Sequence, residues 1–241
     1  MKREWFHAFD DDLWIHRSER AHEAAFLAKA LNLRRGSRVL DAPCGEGGVS
    51  IELARRGIEV TGIDFRDVAV ARARAAFAAE QLPGRFVVAD LREIRAVAQQ
   101  DGEFDAAFNW YGSFGYFATD AENLEALRAL AGAVRRGGRV LVDQPNREKV
   151  LRNFVARSEK SGVRCDSRWD ARTERAESVW RLVGRRGFRP KASSIRLFTP
   201  AQLREMFDAA GLDVVRLWGH WEGATPWTRS TRRTIVVGRR R

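Results

Sequence analysis

The stretch RVLDAPCGEGG, from Arg38 to Gly48, decides the fold class. It opens as an apolar run typical of a buried strand, ends that run in Asp41, and continues into a turn with glycine at 45, 47 and 48. Because glycine has no Cβ, such a turn lets the backbone approach a ligand, and the N-terminus of the next helix offers free N–H groups. The pattern predicts a strand, a ligand-binding turn and a helix in succession.

Strand-like and helix-like segments alternate through residues 37–146. The predicted strands are SRVLDA, IEVTGID, FVVAD, FDAAFNW and RVLVDQPN, and the predicted helices are VSIELARR, Asp67 to Glu80, and TDAENLEALRALAGAVRRGG. Strands of near-continuous apolar character that alternate with helices predict a parallel sheet covered on both faces. Ligands of such sheets bind beyond the carboxyl ends of the strands.

The rest of the chain fits a single α/β domain. Residues 1–36, with a predicted helix over 18–33, are expected to form an N-terminal helical cap, and residues 37–146 the ligand-binding core. The Arg-rich segment 147–198 contains two strand-like runs, ESVWRLV and SSIRLFTP, and is expected to form an antiparallel lid over the sheet edge. Residues 199–241 return to the core with a helix capped at Thr199 and two final strands, DVVRLWGHW and RRTIVVG, which makes seven strands in the sheet.

Composition excludes several classes of protein. The chain has 241 residues, 44% of them hydrophobic and 31% charged, and no apolar run approaches the roughly 20 residues needed to span a membrane. Its first residues lack the apolar core of a signal peptide, so we expect a cytoplasmic protein with no membrane partner. Cys44 and Cys165 are its two cysteines, which do not indicate a disulfide framework, and we expect no metal site.

The net charge of +11 raises the question of a nucleic-acid partner. The basic residues are nearly all arginine and are spread along the chain, with the densest runs, VRRGGR, VGRRGFR and VGRRR, at predicted loops or at the end. This distribution favours a solvated basic surface, and it leaves a nucleic-acid partner open.

Two classes of ligand use a glycine turn at this place. A dinucleotide needs the pattern G-x-G-x-x-G around its pyrophosphate, but Pro43 stands where the first glycine belongs, and Asp41 would repel the phosphates. S-adenosylmethionine carries a sulfonium and an ammonium, so an acidic strand end suits it. A nicotinamide-dependent oxidoreductase is therefore the weaker alternative.

The chain resembles a known family through five segments in order. VLDAPCGEGG, IEVTGIDF, FVVADL, FDAAFNWYGSFGYF and GGRVLVDQPN resemble the class I S-adenosylmethionine-dependent methyltransferases, above all the bacterial small-molecule branch, in which SFGYF and CGxG recur. A weaker resemblance includes LFTPAQLREMFDAAGLDVV and RRTIVV. The resemblance implies a Rossmann-like, doubly wound, mostly parallel seven-stranded sheet. It also implies S-adenosyl-L-methionine as cofactor, S-adenosyl-L-homocysteine as product, and methyl transfer to an N, O or C atom of a small molecule.

The resemblance implies roles for residues of the turn. Asp41 would lie near the methionine end of the cofactor, and Gly45 and Gly47 would line the turn together with Pro43 and Cys44. Pro43 departs from the glycine of many relatives and removes one backbone donor. Cys44 is interpreted as a small packed residue rather than a nucleophile.

Further roles follow at the later strand ends. Asp64 would bind both ribose hydroxyls and Phe65 would pack on the adenine face. Asp90 would accept a hydrogen bond from the adenine amino group, the Leu91 N–H would contact the ring, and Asn109 would contact the methionine portion.

Aromatic residues crowd the expected acceptor site. Trp110, Tyr111 and Tyr116 follow the fourth strand, and Trp221 lies near the C-terminal strands; these four are the predicted substrate-binding residues. Such a group suits an aromatic or apolar acceptor, or an amine held by cation–π contacts.

Few residues could act as a general base. His220, at the end of the sixth strand of the sheet, is the predicted catalytic residue, and Asp143 ends the fifth strand. His7, His16 and His22 fall in the N-terminal segment. A neutral amine acceptor would need little more than positioning.

Three alternative functions stay open from the sequence. A nucleic-acid methyltransferase is favoured by charge, but NWYG lacks the prolines typical of enzymes that methylate a flipped base. The others are the oxidoreductase and a non-catalytic binding protein that kept the cleft.

Overall fold

The computed structural model describes residues 19–160, 162–183 and 190–241. Two sheets contain the strands of these residues. The strands are β1 (Arg38–Asp41), β2 (Glu59–Asp64), β3 (Gly84–Val88), β4 (Phe104–Asn109), β5 (Val134–Pro145), β6 (Arg157–Lys160), β7 (Val163–Asp170), β8 (Arg175–Leu182), β9 (Lys191–Arg196), β10 (Leu212–Trp218) and β11 (Arg233–Arg240). The helices are α1 (Arg20–Leu31), α2 (Gly48–Ala54), α3 (Asp67–Ala79), α4 (Ile94–Asp101), α5 (Asp120–Ala133), α6 (Arg147–Arg152) and α7 (Pro200–Ala209).

The larger sheet has the strand order β10-β11-β5-β4-β1-β2-β3. Strands β3, β2, β1, β4 and β5 pair in parallel, while β11 runs antiparallel to both β5 and β10. The predicted doubly wound, mostly parallel seven-stranded sheet is therefore confirmed. The strand order reverses at β1, so a cleft is expected beyond the carboxyl ends of β1 and β4.

Hydrophobic residues cover both faces of this sheet. Neighbouring strand residues point to opposite faces: Val39 packs with α1, α2 and α3, and Leu40 packs with α4, α5 and α7. Val237 and Val236 on β11 divide in the same way. This two-sided burial is why the strands are apolar along their length rather than alternating.

Two segments of the core differ from the prediction. Helix α5 ends at Ala133, because Val134 already pairs with Phe104 of β4, whereas the helical pattern predicts continuation through VRRGG. Helix α4 is absent from the predicted elements. It is short, with eight residues, and it buries Ile94 and Val97 alone, so its apolar signal is weak.

The antiparallel insertion is confirmed, but it has four strands in the order β6-β7-β8-β9 rather than two. Strands β6 and β7 carry few apolar residues. Ion pairs flank their antiparallel pairing, since Asp166 of β7 contacts Arg157 of β6 and Arg181 of β8. Alternating hydrophobicity could not reveal them for that reason.

The small sheet lies against the loop that follows β4. The Arg196 N–H donates to the Gly115 carbonyl at 2.8 Å, and the Arg175 guanidinium donates to the Phe117 carbonyl at 2.9 Å. It is thus fixed on the side of the large sheet where its parallel strands end.

Within the described ranges, no helix is long and apolar enough to cross a membrane.

Candidate active site

The glycine turn joins β1 to α2 in a tightly packed arrangement. Gly45 and Gly47 have φ of +53° and +73°, which L side chains rarely adopt, and the Ala42–Pro43 peptide is cis. A Cβ at Gly48 would lie 2.5 Å from the guanidinium carbon of Arg20. The backbone conformation therefore requires glycine at 45 and 47, as the sequence motif predicts, whereas a side chain at 48 would displace the end of the Arg20 side chain.

Asp41 ends β1 as a buried carboxyl group. It is 2% exposed and accepts a 2.6 Å hydrogen bond from the Ser50 hydroxyl. Burial raises its pKa to about 8 and the Asp64 carboxylate adds to this, while the Ser50 hydrogen bond opposes it. At neutral pH much of the protein thus carries a neutral Asp41, which a cation placed beside it would ionise.

Asp64 ends β2 and faces the same turn. Its carboxylate accepts the Gly45 N–H at 2.9 Å, the Arg66 N–H at 3.0 Å and the Arg66 Nε–H at 3.3 Å. The structure thus brings the ends of β1 and β2 together around the turn, and half-buried Phe65 follows directly.

Cys44 has the surroundings of a packed residue. It is buried, its thiol donates to the Gly45 carbonyl at 3.4 Å, and its N–H donates to the Ile63 carbonyl at 2.8 Å. Burial, then the Asp41 and Asp64 carboxylates, raise the pKa of the thiol well above its usual value, so it stays protonated.

Asp90 lies beyond β3 at the start of a 3-10 turn over Leu91–Glu93. Its carboxylate accepts two hydrogen bonds from the Arg92 guanidinium, at 2.9 and 2.8 Å, and one from the Arg92 N–H at 3.0 Å. An adenine amino group would have to share this carboxylate with Arg92. Leu91 is half-buried beside it.

Asn109 ends β4 with a fully buried side chain. Its Nδ2 donates to the Ala42 carbonyl at 3.0 Å, while its Oδ1 has no hydrogen-bond partner among the described residues. The neighbouring Trp110 indole N–H is likewise buried without a described partner. Because an unpaired buried polar atom is costly, these two atoms mark a place where a ligand would complete the hydrogen bonding.

These residues fit the methionine end of S-adenosylmethionine in charge and in hydrogen bonding. The carboxyl of Asp41 and the unpaired Oδ1 of Asn109 are acceptors suited to an ammonium group, and the start of α2 has N–H groups for a carboxylate.

The predicted acceptor residues are only partly brought together. Trp110 is buried against Phe26 at a centroid distance of 6.0 Å and lies 5.9 Å from the Tyr111 ring, and Trp221 packs on the same hydrophobic cluster. Tyr116 lies further along the loop, where its carbonyl accepts a 3.5 Å hydrogen bond from Arg175 of the small sheet.

The structure places the candidate bases as follows. His220 stacks on Trp221, and its Nδ1 accepts the Glu222 N–H at 3.1 Å. Burial and then Arg232 lower the pKa of His220. Because Nδ1 accepts a hydrogen bond, the neutral imidazole carries its proton on Nε2. Asp143 forms an ion pair with Arg233 through both carboxylate oxygens.

The histidines of the N-terminal segment add no described base near the turn. His22 is exposed on α1, and His7 and His16 lie outside the described residues. In the part of the chain that the structure describes, no group of three or more His, Cys, Asp or Glu side chains could hold a metal ion.

One site residue escaped the sequence reasoning altogether. Glu23 of α1 is 5% exposed and accepts a hydrogen bond from the Tyr111 hydroxyl, although the two residues are 88 positions apart. A signal existed, because Glu23 shares a helical stripe with buried Leu27 and Ala30. Ser50, Arg66 and Arg233, which hold the three strand-end carboxylates, carried no such signal.

Comparisons with known proteins agree with this geometry. Residues 39–138 match a family model described as a methyltransferase domain. The putative methyltransferase YqeM of Bacillus subtilis is 32% identical over 123 residues, which are 51% of this chain and 48% of that protein. The chain spans about half the length of the curated relatives it matches.

Solved structures share the whole fold at lower identity. The CcbJ methyltransferase of Streptomyces caelestis aligns with a TM-score of 0.79 at 19% identity, over 95% of this chain and 94% of that one. CalS10 of Micromonospora echinaspora, an amino pentose methyltransferase with S-adenosylmethionine bound, aligns with a TM-score of 0.61 at 19% identity, over 98% and 94% of the two chains.

Residues 39–138 therefore match the methyltransferase-domain family, and the described chain shares its fold with solved S-adenosylmethionine-dependent methyltransferases.

Proposed function

We propose that the protein transfers a methyl group from S-adenosylmethionine to a small-molecule acceptor. The observation that carries the proposal is the cradle of Asp41, Asp64 and the glycine turn, which meet at the carboxyl ends of β1 and β2. Bound there, the cofactor supplies an electrophilic methyl group on a positively charged sulfur. Acidic groups at the strand ends suit that charge, whereas they would repel a dinucleotide pyrophosphate.

The residues of this cradle divide between the ends of the cofactor. Asp41 and Asn109 would hold the methionine end, and Asp64 the ribose hydroxyls. Phe65 would cover the adenine, with Asp90 and the Leu91 N–H at its edge. The base of the cofactor site would consist of Pro43, Cys44, Gly45 and Gly47.

Several features support a small and partly aromatic acceptor. Trp110, Tyr111 and Trp221 border the ends of β4 and β10, and Tyr116 leads to the small sheet. We assign residues 147–198 the role of a lid that selects the acceptor, since β8 and β9 are bonded to the loop after β4. The structurally similar CalS10 acts on an amino pentose.

The basic charge of the chain is the argument for a nucleic-acid acceptor. Arginines of the small sheet are paired, since Arg157, Arg168 and Arg181 each contact an acidic residue. Paired arginines have fewer free donors for phosphates, which favours a small-molecule acceptor over a nucleic-acid acceptor.

Methyl transfer from S-adenosylmethionine with a tritiated methyl group tests the proposal. The purified protein is incubated with pooled small amines, phenols and carboxylic acids, or with total RNA, and label is measured in each fraction. We expect label in a small-molecule pool, its loss in Asp64→Asn, and its retention in Asp213→Asn, which changes an exposed aspartate on β10. Label in RNA would favour the nucleic-acid alternative, and label in no fraction would contradict methyl transfer.

A further inference from the structure

Glu23 is a buried carboxylate with an unusual set of partners. The Tyr111 hydroxyl donates to its Oε2, and the Glu23 side chain forms no other hydrogen bond or ion pair with the residues that the structure describes. Buried carboxylates are ordinarily paired with a cation or with several donors. The arrangement leaves Glu23 with capacity to accept a further hydrogen bond.

Glu23 lies at the acceptor side of the proposed site. It projects from α1 toward the loop after β4, and Asp143 at the end of β5 is close enough to act on its charge. Arg20 of the same helix contacts Gly48 at the start of α2. Glu23 therefore faces the place where the ends of β1, β4 and β5 converge.

The backbone around Tyr111 is held in a strained conformation. Tyr111 has φ of +59°, and Gly112 after it has φ of +73°. A non-glycine residue in this region is strained and persists where the surroundings enforce it, often at a functional site. Here the conformation presents the phenol to Glu23 although the tyrosine is 56% exposed.

The other acidic or basic groups nearby are already engaged. Asp143 is neutralised by Arg233, and Asp41 is bonded to Ser50. His220 in its neutral form presents only an N–H at Nε2, because Nδ1 accepts the Glu222 N–H. This leaves Glu23 as the carboxylate best placed to receive a proton.

Aromatic rings enclose the same region. Phe26, one turn along α1, lies 6.0 Å from Trp110 and 5.2 Å from Trp218. Rings beside a carboxylate are the surroundings that proteins use to hold an organic cation. A neutral hydroxyl acceptor would bind less tightly than an amine to a carboxylate flanked by aromatic rings.

We propose that the acceptor is an amine and that Glu23, positioned by Tyr111, binds its N–H and receives its proton. The inference rests on the proposed function and names the substrate class of that same site. The bound ammonium form first passes one proton to the Glu23 carboxylate, which frees the nitrogen lone pair. That lone pair then forms a bond to the methyl carbon as the sulfur–methyl bond breaks and leaves its electron pair on sulfur. The product leaves as the methylated ammonium, and Glu23 releases its proton to solvent.

The charges that face Glu23 suit this role. Burial raises its pKa above the usual value, and the carboxylates of Glu19 and Asp143 raise it further. The Tyr111 hydrogen bond and Arg20 act in the opposite direction. A carboxylate with a raised pKa is a stronger base than an exposed glutamate.

Calorimetry tests the inference. The protein is saturated with S-adenosylhomocysteine, and the binding of benzylamine is compared with that of benzyl alcohol. The two probes share a ring and differ in charge, since alkyl amines are protonated at pH 7. We expect benzylamine to bind at least tenfold more tightly than the alcohol, and Glu23→Gln to remove that preference. The matched variant Glu205→Gln, exposed on α7, should keep it.

The outcomes separate this inference from the proposed function. Failure to bind S-adenosylhomocysteine would overturn the proposed function itself. Binding of S-adenosylhomocysteine with no preference for the amine, or with a preference that Glu23→Gln retains, would overturn the amine inference alone.

The role of Tyr111 has its own readout. Tyr111→Phe removes the hydrogen bond that lowers the pKa of Glu23, so the pH above which benzylamine binds should move upward. A loss of affinity that is equal at every pH would mean that Tyr111 only supports the fold.

Discussion

At the scale of single residues, two aspartates that each end a parallel strand have different hydrogen-bonding surroundings. Asp41 and Asp64 both end parallel strands and are both buried. Asp41 has one hydroxyl partner, whereas Asp64 accepts two backbone N–H groups and a guanidinium. The sequence places both carboxylates at the cleft, but it cannot distinguish their hydrogen bonds, because the partners come from distant segments.

Asp41 should make stability depend on pH. Its folded pKa of about 8 exceeds its ordinary 3.8, so between these values the folded protein holds a proton that the unfolded chain has released. The free energy of unfolding should therefore fall as pH rises from about 4 to about 8, and Asp41→Asn should remove that part of the fall. Urea unfolding of both proteins at several pH values measures it, and parallel curves would contradict the assignment.

Glu23 shows where residue-level prediction fails. Its helical position beside Leu27 could have indicated burial, but nothing in the sequence links it to Tyr111. That contact depends on how α1 packs over the ends of the strands, which is tertiary information.

At the scale of elements, local chemistry was a reliable guide for helix starts. The cap predicted at Thr199 forms as a capping box, and Thr119 caps α5 in the same way, each hydroxyl accepting an N–H three residues on. The end of α5 was predicted wrongly. The helical pattern continues past Ala133, but Val134 pairs with β4 and begins a strand instead. Strands β6 and β7 were missed because they carry few apolar residues.

The contact between the small sheet and the β4 loop should be intolerant of side-chain bulk at Gly115. This residue has φ of +100°, and a Cβ would lie 2.3 Å from the Arg196 carbonyl oxygen. Gly115→Ala should lower the free energy of unfolding by about 2 kcal/mol or more. Gly137→Ala, with φ of +78° and no atom within 4 Å of a Cβ, should cost about 1 kcal/mol. Equal losses in chemical denaturation would mean that the contact adds nothing.

At the scale of the whole molecule, alternation of strands and helices was enough to predict the parallel sheet and the edge at which its strand-end carboxylates lie. The family resemblance implied a sheet that is mostly, not wholly, parallel, but the strand order and the antiparallel direction of β11 were not predicted. The position of the small sheet followed from neither, because it depends on hydrogen bonds that Arg175 and Arg196 donate to backbone carbonyl groups of one loop.

Calorimetric titration with S-adenosylhomocysteine and with NAD, for the wild type and Asp64→Asn, tests the central claim most directly. The account predicts micromolar binding of S-adenosylhomocysteine and no binding of NAD. It also predicts a loss of about tenfold or more in Asp64→Asn, since a hydrogen bond to a charged group contributes about 1.5–3 kcal/mol. Binding of NAD in place of S-adenosylhomocysteine, or S-adenosylhomocysteine affinity unchanged in Asp64→Asn, would contradict it.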